Sequence, residues 1–117
     1  MLLVCALTDI PLGKARGVVV GHAQLLLVRT EPRLVHAYLN RCPHLGIPLA
    51  WQESQILDRD GRYIQCSSHG ALFELDTGFC IEGPCMGDHL WEVSCTIDED
   101  GVHVDESELP AAPYVHR

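Results

Sequence analysis

The sequence predicts an all-β fold, an antiparallel β-sandwich or small barrel, and three observations support this prediction. Short apolar or β-branched segments recur along the chain, polar turn signals separate them, and little of the sequence has helical periodicity. The third observation is size: 117 residues, 47% of them hydrophobic, are enough for one domain with a single core.

Eight short strands are predicted, at residues 2–7, 25–29, 34–40, 62–66, 71–75, 79–81, 90–97 and 102–105. Turn signals at residues 30–33, 76–78 and 98–101 join neighbouring strands as antiparallel hairpins. Trp91 opens the seventh strand and is expected to pack in the core. Residues 1–105 are expected to form the domain, and residues 106–117, which contain Pro110 and Pro113, a loosely held C-terminal extension.

Charge and hydropathy narrow the classes of partner. Sixteen acidic residues against eight basic ones give a formal net charge of −8, so a phosphate backbone would repel the chain and no nucleic acid is expected. The apolar segment 1–7 is too short to span a membrane and follows no basic segment, so we expect neither a membrane span nor a secretory signal. A cytoplasmic protein is expected, in which the six cysteines are ligands or free thiols.

Two Cys-His pairs lie in separate loops, Cys42-Pro43-His44 and Cys66-Ser67-Ser68-His69. Two thiolates and two imidazoles suit a tetrahedral zinc ion. They equally suit a 2Fe-2S cluster in which two histidines replace two cysteines on one iron. The spacing alone leaves both metals open.

The residues around these pairs resemble the two cluster-binding boxes of the Rieske family. Leu45-Gly46 follows the first pair, Gly70-Ala71-Leu72-Phe73 follows the second, and Gly83-Pro84 matches that family's third loop. The resemblance covers residues 2–105. It implies a Rieske-like β-sandwich or barrel with a cluster-binding subdomain of loops at about 41–49, 66–71 and 80–86.

The same resemblance implies a Rieske-type 2Fe-2S cluster as the cofactor. Cys42 and Cys66 would hold one iron, and His44 and His69 would hold the other. The implied function is that of a small soluble electron carrier between a reductase and an oxygenase or another acceptor. No catalytic residues are expected, because the chain has no Gly-rich dinucleotide fingerprint and is too short for an oxygenase's catalytic domain.

Two other functions remain open. The second is a small Rieske-like subunit bound to a larger reductase, as in assimilatory nitrite reductases, although many of those subunits lack the ligands and this chain keeps all four. The third is a zinc-stabilised binding module. As an isolated protein we expect a monomer, because weak redox encounters bury little surface.

Departures from the family pattern imply a low potential. High-potential members carry a disulfide between the first two loops and two hydroxyls beside the cluster, and here those positions hold Ile47, Ser68, Ala71 and Phe73. Lost hydrogen bonds to sulfur lower the potential, so we expect a value near the bottom of the roughly −150 to +300 mV range of Rieske centres.

Cys80 and Cys85 flank the third loop. They could pair, or one of them could shield the cluster. We favour two free thiols that fill gaps near the loops, because disulfides are rare in a reducing compartment.

Overall fold

A computed structural model describes residues 1–43, 48–50, 52–67 and 70–109. In these residues the chain forms ten strands, and its only helices are three single 3₁₀ turns at Leu7–Asp9, Glu53–Gln55 and Glu106–Glu108. No helix in the described ranges is long and apolar enough to cross a membrane. The strands are β1 (Leu2–Cys5), β2 (Ala15–Val20), β3 (Ala23–Glu31), β4 (Leu34–Leu39), β5 (Tyr63–Gln65), β6 (Leu72–Glu74), β7 (Cys80–Glu82), β8 (Glu92–Val93), β9 (Cys95–Asp98) and β10 (Gly101–Val104).

All strand pairs are antiparallel, and the strands form three sheets with the orders β1-β10-β9, β2-β3-β4-β8 and β5-β6-β7. The predicted hairpins are present as β3-β4, β6-β7 and β9-β10. The prediction of an all-β antiparallel fold is therefore confirmed.

Strand β3 carries the apolar run Leu25–Val28, which is buried on both faces. Alternate side chains point to opposite faces of a strand. Leu25 and Leu27 belong to one core cluster, with residues of β4 and β10, whereas Leu26 and Val28 belong to a second cluster with residues of β6 and the loops. The four-stranded sheet therefore separates a structural core from the core that contains Cys42 and Cys66.

Two strand predictions were incomplete. No strand was predicted at 15–20, yet β2 pairs along its whole length with β3. The predicted strand 90–97 is two strands in different sheets, since β8 pairs with β4 and β9 pairs with β10. Strand β2 was missed although it forms a tight hairpin with β3, with Val20 opposite Ala23. The split of 90–97 reflects strand pairing, which the residues of that segment alone do not specify.

Trp91 and the start of the C-terminal extension also differ from expectation. Trp91 is 47% exposed, and its indole N–H donates to the carbonyl of Glu108 at 3.0 Å. The Glu108 carboxylate accepts from the backbone N–H and the hydroxyl of Ser94, both at 2.7 Å. Residues 106–109 are therefore fastened to the β8-β9 connection rather than loosely held, and residues 110–117 lie outside the described ranges.

Candidate metal centre

Cys42 and Cys66 lie in the same core. Cys42 follows β4 and is 0% exposed; Cys66 follows β5 and is 1% exposed. Both belong to the cluster of buried residues that includes Phe73 and Leu90. Two thiols are thus brought together in an apolar, water-poor setting from chain positions 24 residues apart (66 − 42).

The first loop is shaped by Asn40, which is the only buried polar or charged residue in the described part of the chain. Its side-chain oxygen accepts from the backbone N–H of Leu49 at 2.8 Å and of Ala50 at 3.2 Å, and its amide donates to the Ala50 carbonyl at 3.0 Å. One side chain therefore joins the two ends of the first loop and fixes where Cys42 leaves the sheet. Asn40 was not predicted from the sequence, in which its position two residues before Cys42 is the available signal.

The first and second loops are bonded to each other through Ser67. Its backbone N–H and its hydroxyl both donate to the carbonyl of Leu49, each at 2.9 Å. The second loop is closed by bonds from the Cys66 N–H to the Ala71 carbonyl at 2.9 Å and from the Gly70 N–H to the Cys66 carbonyl at 2.8 Å. These bonds join the described ends of the two loops next to Cys42 and Cys66.

The third loop packs against the second at Gly83. A Cβ at Gly83 would lie 2.7 Å from the Ala71 Cα, and the residue has a φ of +104°. Only glycine allows both the backbone conformation and this close approach. The third loop therefore lies directly over the second.

A third and a fourth cysteine line this core. Cys80 and Cys85 are 0% and 2% exposed and are free thiols, as favoured from the sequence, with their Sγ atoms 3.1 Å apart. Burial, the contact with Cys80 and the proximity of Cys42 together raise the pKa of the Cys85 thiol.

The histidine half of the predicted site lies outside the described residues. His44 and His69 fall in the gaps at 44–47 and 68–69, as do Ile47 and Ser68. Across the ranges that are described, no three His, Cys, Asp or Glu side chains are arranged to hold a metal ion. The assignment of Cys42, His44, Cys66 and His69 as ligands therefore stays a prediction.

The described half of the site fits a cluster with thiolate ligands. Cys42 and Cys66 are buried, so a negatively charged sulfur there needs an adjacent metal to balance it. Ala71 and Phe73, at the hydroxyl positions of high-potential centres, are both 0% exposed and carry no donor. The donor set is therefore two thiols in an apolar shell.

Comparison with known proteins identifies this architecture. A family model described as "Rieske [2Fe-2S] domain" matches residues 1–104. The chain belongs to the Rieske [2Fe-2S] domain family. Its cofactor is accordingly a Rieske-type 2Fe-2S cluster, as the resemblance of the two Cys-His boxes implied. Rieske ferredoxin-like domains serve as electron carriers or as components of oxidoreductases.

One curated protein is similar over most of this chain. The human apoptosis-inducing factor 3 is 35% identical over 104 residues, which are 89% of this chain and 16% of that protein. The chain thus spans about one-sixth of the curated relative that it matches.

Among solved structures, a chain from the complex of reduced oxygenase and oxidized ferredoxin in carbazole 1,9a-dioxygenase is 32% identical. It has a TM-score of 0.70, with 88% of this chain and 90% of that chain covered. The carbazole 1,9a-dioxygenase ferredoxin of Nocardioides aromaticivorans IC177 gives a TM-score of 0.71 at 21% identity, covering 88% and 94%. The nitrite reductase [NAD(P)H] small subunit of Erwinia carotovora gives 0.57 at 20% identity, covering 99% and 96%. The last two likenesses show the shared fold alone.

Proposed function

We propose that this Rieske domain carries single electrons between a reductase and an oxygenase or another acceptor, and that it catalyses no substrate reaction itself. The observation that carries the proposal is the pair of buried thiols, Cys42 and Cys66, held by hydrogen-bonded loops in a domain that spans nearly the whole chain. A fixed site needs little rearrangement when its charge changes by one electron. The likeness to a chain in an oxygenase–ferredoxin complex supports an oxygenase as the acceptor.

In this proposal Cys42 and Cys66 hold one iron of the cluster, and His44 and His69 hold the other. When bound, the cluster supplies reversible one-electron transfer. The chain's own contribution is to bury the two thiolates, to exclude water with the third loop, and to fix the loops through Asn40 and Ser67.

We further propose a low reduction potential. Phe73 and Ala71 lie fully buried in the core that contains both cysteines, and neither side chain can donate a hydrogen bond to sulfur. Because such bonds stabilise the more negative reduced state, their absence lowers the potential.

The proposed docking surface is the loop end of the domain. Met86, in the third loop, is 66% exposed although it adjoins the buried Cys85, and methionine is common at protein-binding surfaces. The net charge of −8 favours partners with a basic docking face.

The first test is the absorption spectrum of anaerobically purified protein with iron and sulfide assays, before and after dithionite. About two irons and two sulfides, in a brown protein that bleaches on reduction, are expected. The Cys42→Ser variant should lose the cluster, whereas Cys95→Ser, in β9 on the opposite side of the fold, should retain it. A colourless wild type that binds one zinc even after cluster reconstitution would contradict the proposal.

A second candidate is a permanent small subunit of a larger reductase. The likeness to the nitrite reductase small subunit, which extends over nearly the full length of both chains, supports this candidate. Its TM-score is lower than those of the ferredoxin-containing structures. Co-purification with a large subunit at fixed stoichiometry would support this candidate over a diffusing carrier.

A further inference from the structure

Cys80 and Cys85 form a second sulfur pair that the proposed cluster does not use. Their Sγ atoms are 3.1 Å apart, about 1 Å more than a disulfide bond, and both side chains are buried. Cys80 opens β7, and Cys85 lies in the turn that follows that strand. The two thiols therefore already face each other across a short loop.

The backbone fixes this arrangement. The Cys80 N–H donates to the Asp88 carbonyl at 2.8 Å, and the Asp88 N–H donates to the Cys85 carbonyl at 2.9 Å. The Gly87 N–H donates to the Cys80 carbonyl at 3.2 Å. The turn is thus folded back on β7, so only a small approach of the two side chains is needed for a bond.

The other non-ligand cysteines provide a contrast. Cys5 and Cys95 are half-buried in the core on the other side of the four-stranded sheet, on strands β1 and β9 that are separated by β10. No hydrogen bond between their sulfurs is present, whereas Cys80 and Cys85 are in direct contact. Proximity therefore singles out one pair.

We propose that Cys80 and Cys85 form a reversible dithiol–disulfide site in the third loop, oxidised by low-molecular-weight disulfides. In the first step the turn beside the exposed Met86 opens to admit the small disulfide, and the Cys85 sulfur attacks one of its two sulfurs. A mixed disulfide forms, and one small thiol leaves with the Cys85 proton. The Cys80 sulfur then attacks the Cys85 sulfur, so that the Cys80–Cys85 bond forms and the second small thiol leaves. The protein loses two protons and two electrons, and the small disulfide becomes two thiols.

Bond formation is tested on the cluster-loaded protein, equilibrated anaerobically with graded mixtures of reduced and oxidised glutathione. After acid quenching and alkylation, two of the six thiols should be lost at the oxidised end of the series. Cleavage after glutamate separates Cys80 from Cys85 at Glu82, so peptides 75–82 and 83–92 should remain joined only when the bond is present.

Three variants sharpen this experiment. Cys80→Ala should trap glutathione on Cys85, because no resolving thiol remains, and Cys85→Ala should prevent the bond. Cys95→Ser is the matched control and should behave as wild type. Six thiols throughout, a lasting glutathione adduct on the wild type, or linkage of either cysteine to Cys42 would each overturn the proposal. A protein without a cluster would sink the electron-transfer proposal, while the peptide map would still decide whether the pair forms.

Discussion

Replacing Asn40 by alanine tests whether one buried side chain holds the first loop in place. In Asn40→Ala, two backbone donors, the N–H groups of Leu49 and Ala50, and one acceptor, the Ala50 carbonyl, lose their partner. Leu49 and Ala50 are 0% and 5% exposed, so water replaces these bonds poorly. Each unsatisfied buried group costs roughly 1–3 kcal/mol, and the low end gives about 3 kcal/mol for the three.

For a domain of this size, about 3 kcal/mol corresponds to a fall in melting temperature of roughly 10 °C. Thermal unfolding of the loaded protein, followed by far-ultraviolet circular dichroism, measures it. Asn40→Asp keeps an acceptor for both N–H groups but places a buried carboxylate beside the Ala50 carbonyl, so it should also be less stable than the wild type. Gln24→Ala removes an exposed neighbour, 3.5 Å from the Asn40 amide, and should change stability by less than about 0.5 kcal/mol. An Asn40→Ala protein that melts within about 2 °C of the wild type would refute the reasoning.

Three further predictions concern the potential, the loop contact and acid stability. Phe73→Tyr should raise the midpoint potential by roughly 40 mV, because a hydrogen bond from the new hydroxyl to sulfur that favours the reduced state by about 1 kcal/mol shifts a one-electron potential by roughly 40 mV. Film voltammetry measures the midpoint, and an unchanged midpoint would contradict the prediction. Gly83→Ala should release iron to a chelator faster than the matched control Gly87→Ala. Both glycines have positive φ, +104° and +96°, but only Gly83 lacks room for a Cβ. Equal rates would mean that the close approach of the third loop to the second is unimportant. A hydrogen bond from His103 lowers the pKa of Asp98. The ionised Asp98 carboxylate therefore stabilises the fold above the ordinary pKa of 3.8, and this stabilisation is lost as the pH falls through the lower pKa of the folded protein. In urea unfolding measured from pH 2 to 6, the midpoint of Asp98→Asn should depend less on pH at the acid end than that of the wild type.

The hairpins were predictable because their turns are determined locally. At the β9-β10 turn the Asp98 carboxylate accepts from the N–H groups of Asp100 and Gly101, at 2.8 and 3.2 Å. Such a turn depends on only four consecutive residues, so it can be predicted from the sequence. The two Cys-His boxes were equally visible, since their spacing and flanking glycines are contiguous in the chain.

Two of the missed features depend on residues that are further apart in the chain. Asn40 matters because Leu49 and Ala50 fold back onto it, and the bond from the Ser67 hydroxyl to the Leu49 carbonyl joins residues 18 positions apart. Strand β2 is different, because it pairs with the next strand, β3, in a tight hairpin with Val20 opposite Ala23, and it was missed although its valines are visible in the sequence. Local patterns therefore identify elements and candidate ligands, but the surroundings that tune a ligand appear only in the folded chain.

The pairing of the first and last strands has an architectural consequence. Leu2 and Val104 are register partners, so β1 begins beside the end of β10, with Cα atoms about 5 Å apart, and only the short fastened segment 106–109 follows β10 in the described chain. A short linker could join these ends, and new ends could then be opened in an exposed turn such as that at Asp60, as in circular permutation. For the same reason the domain can be inserted into a loop of a host protein whose two attachment points lie close together.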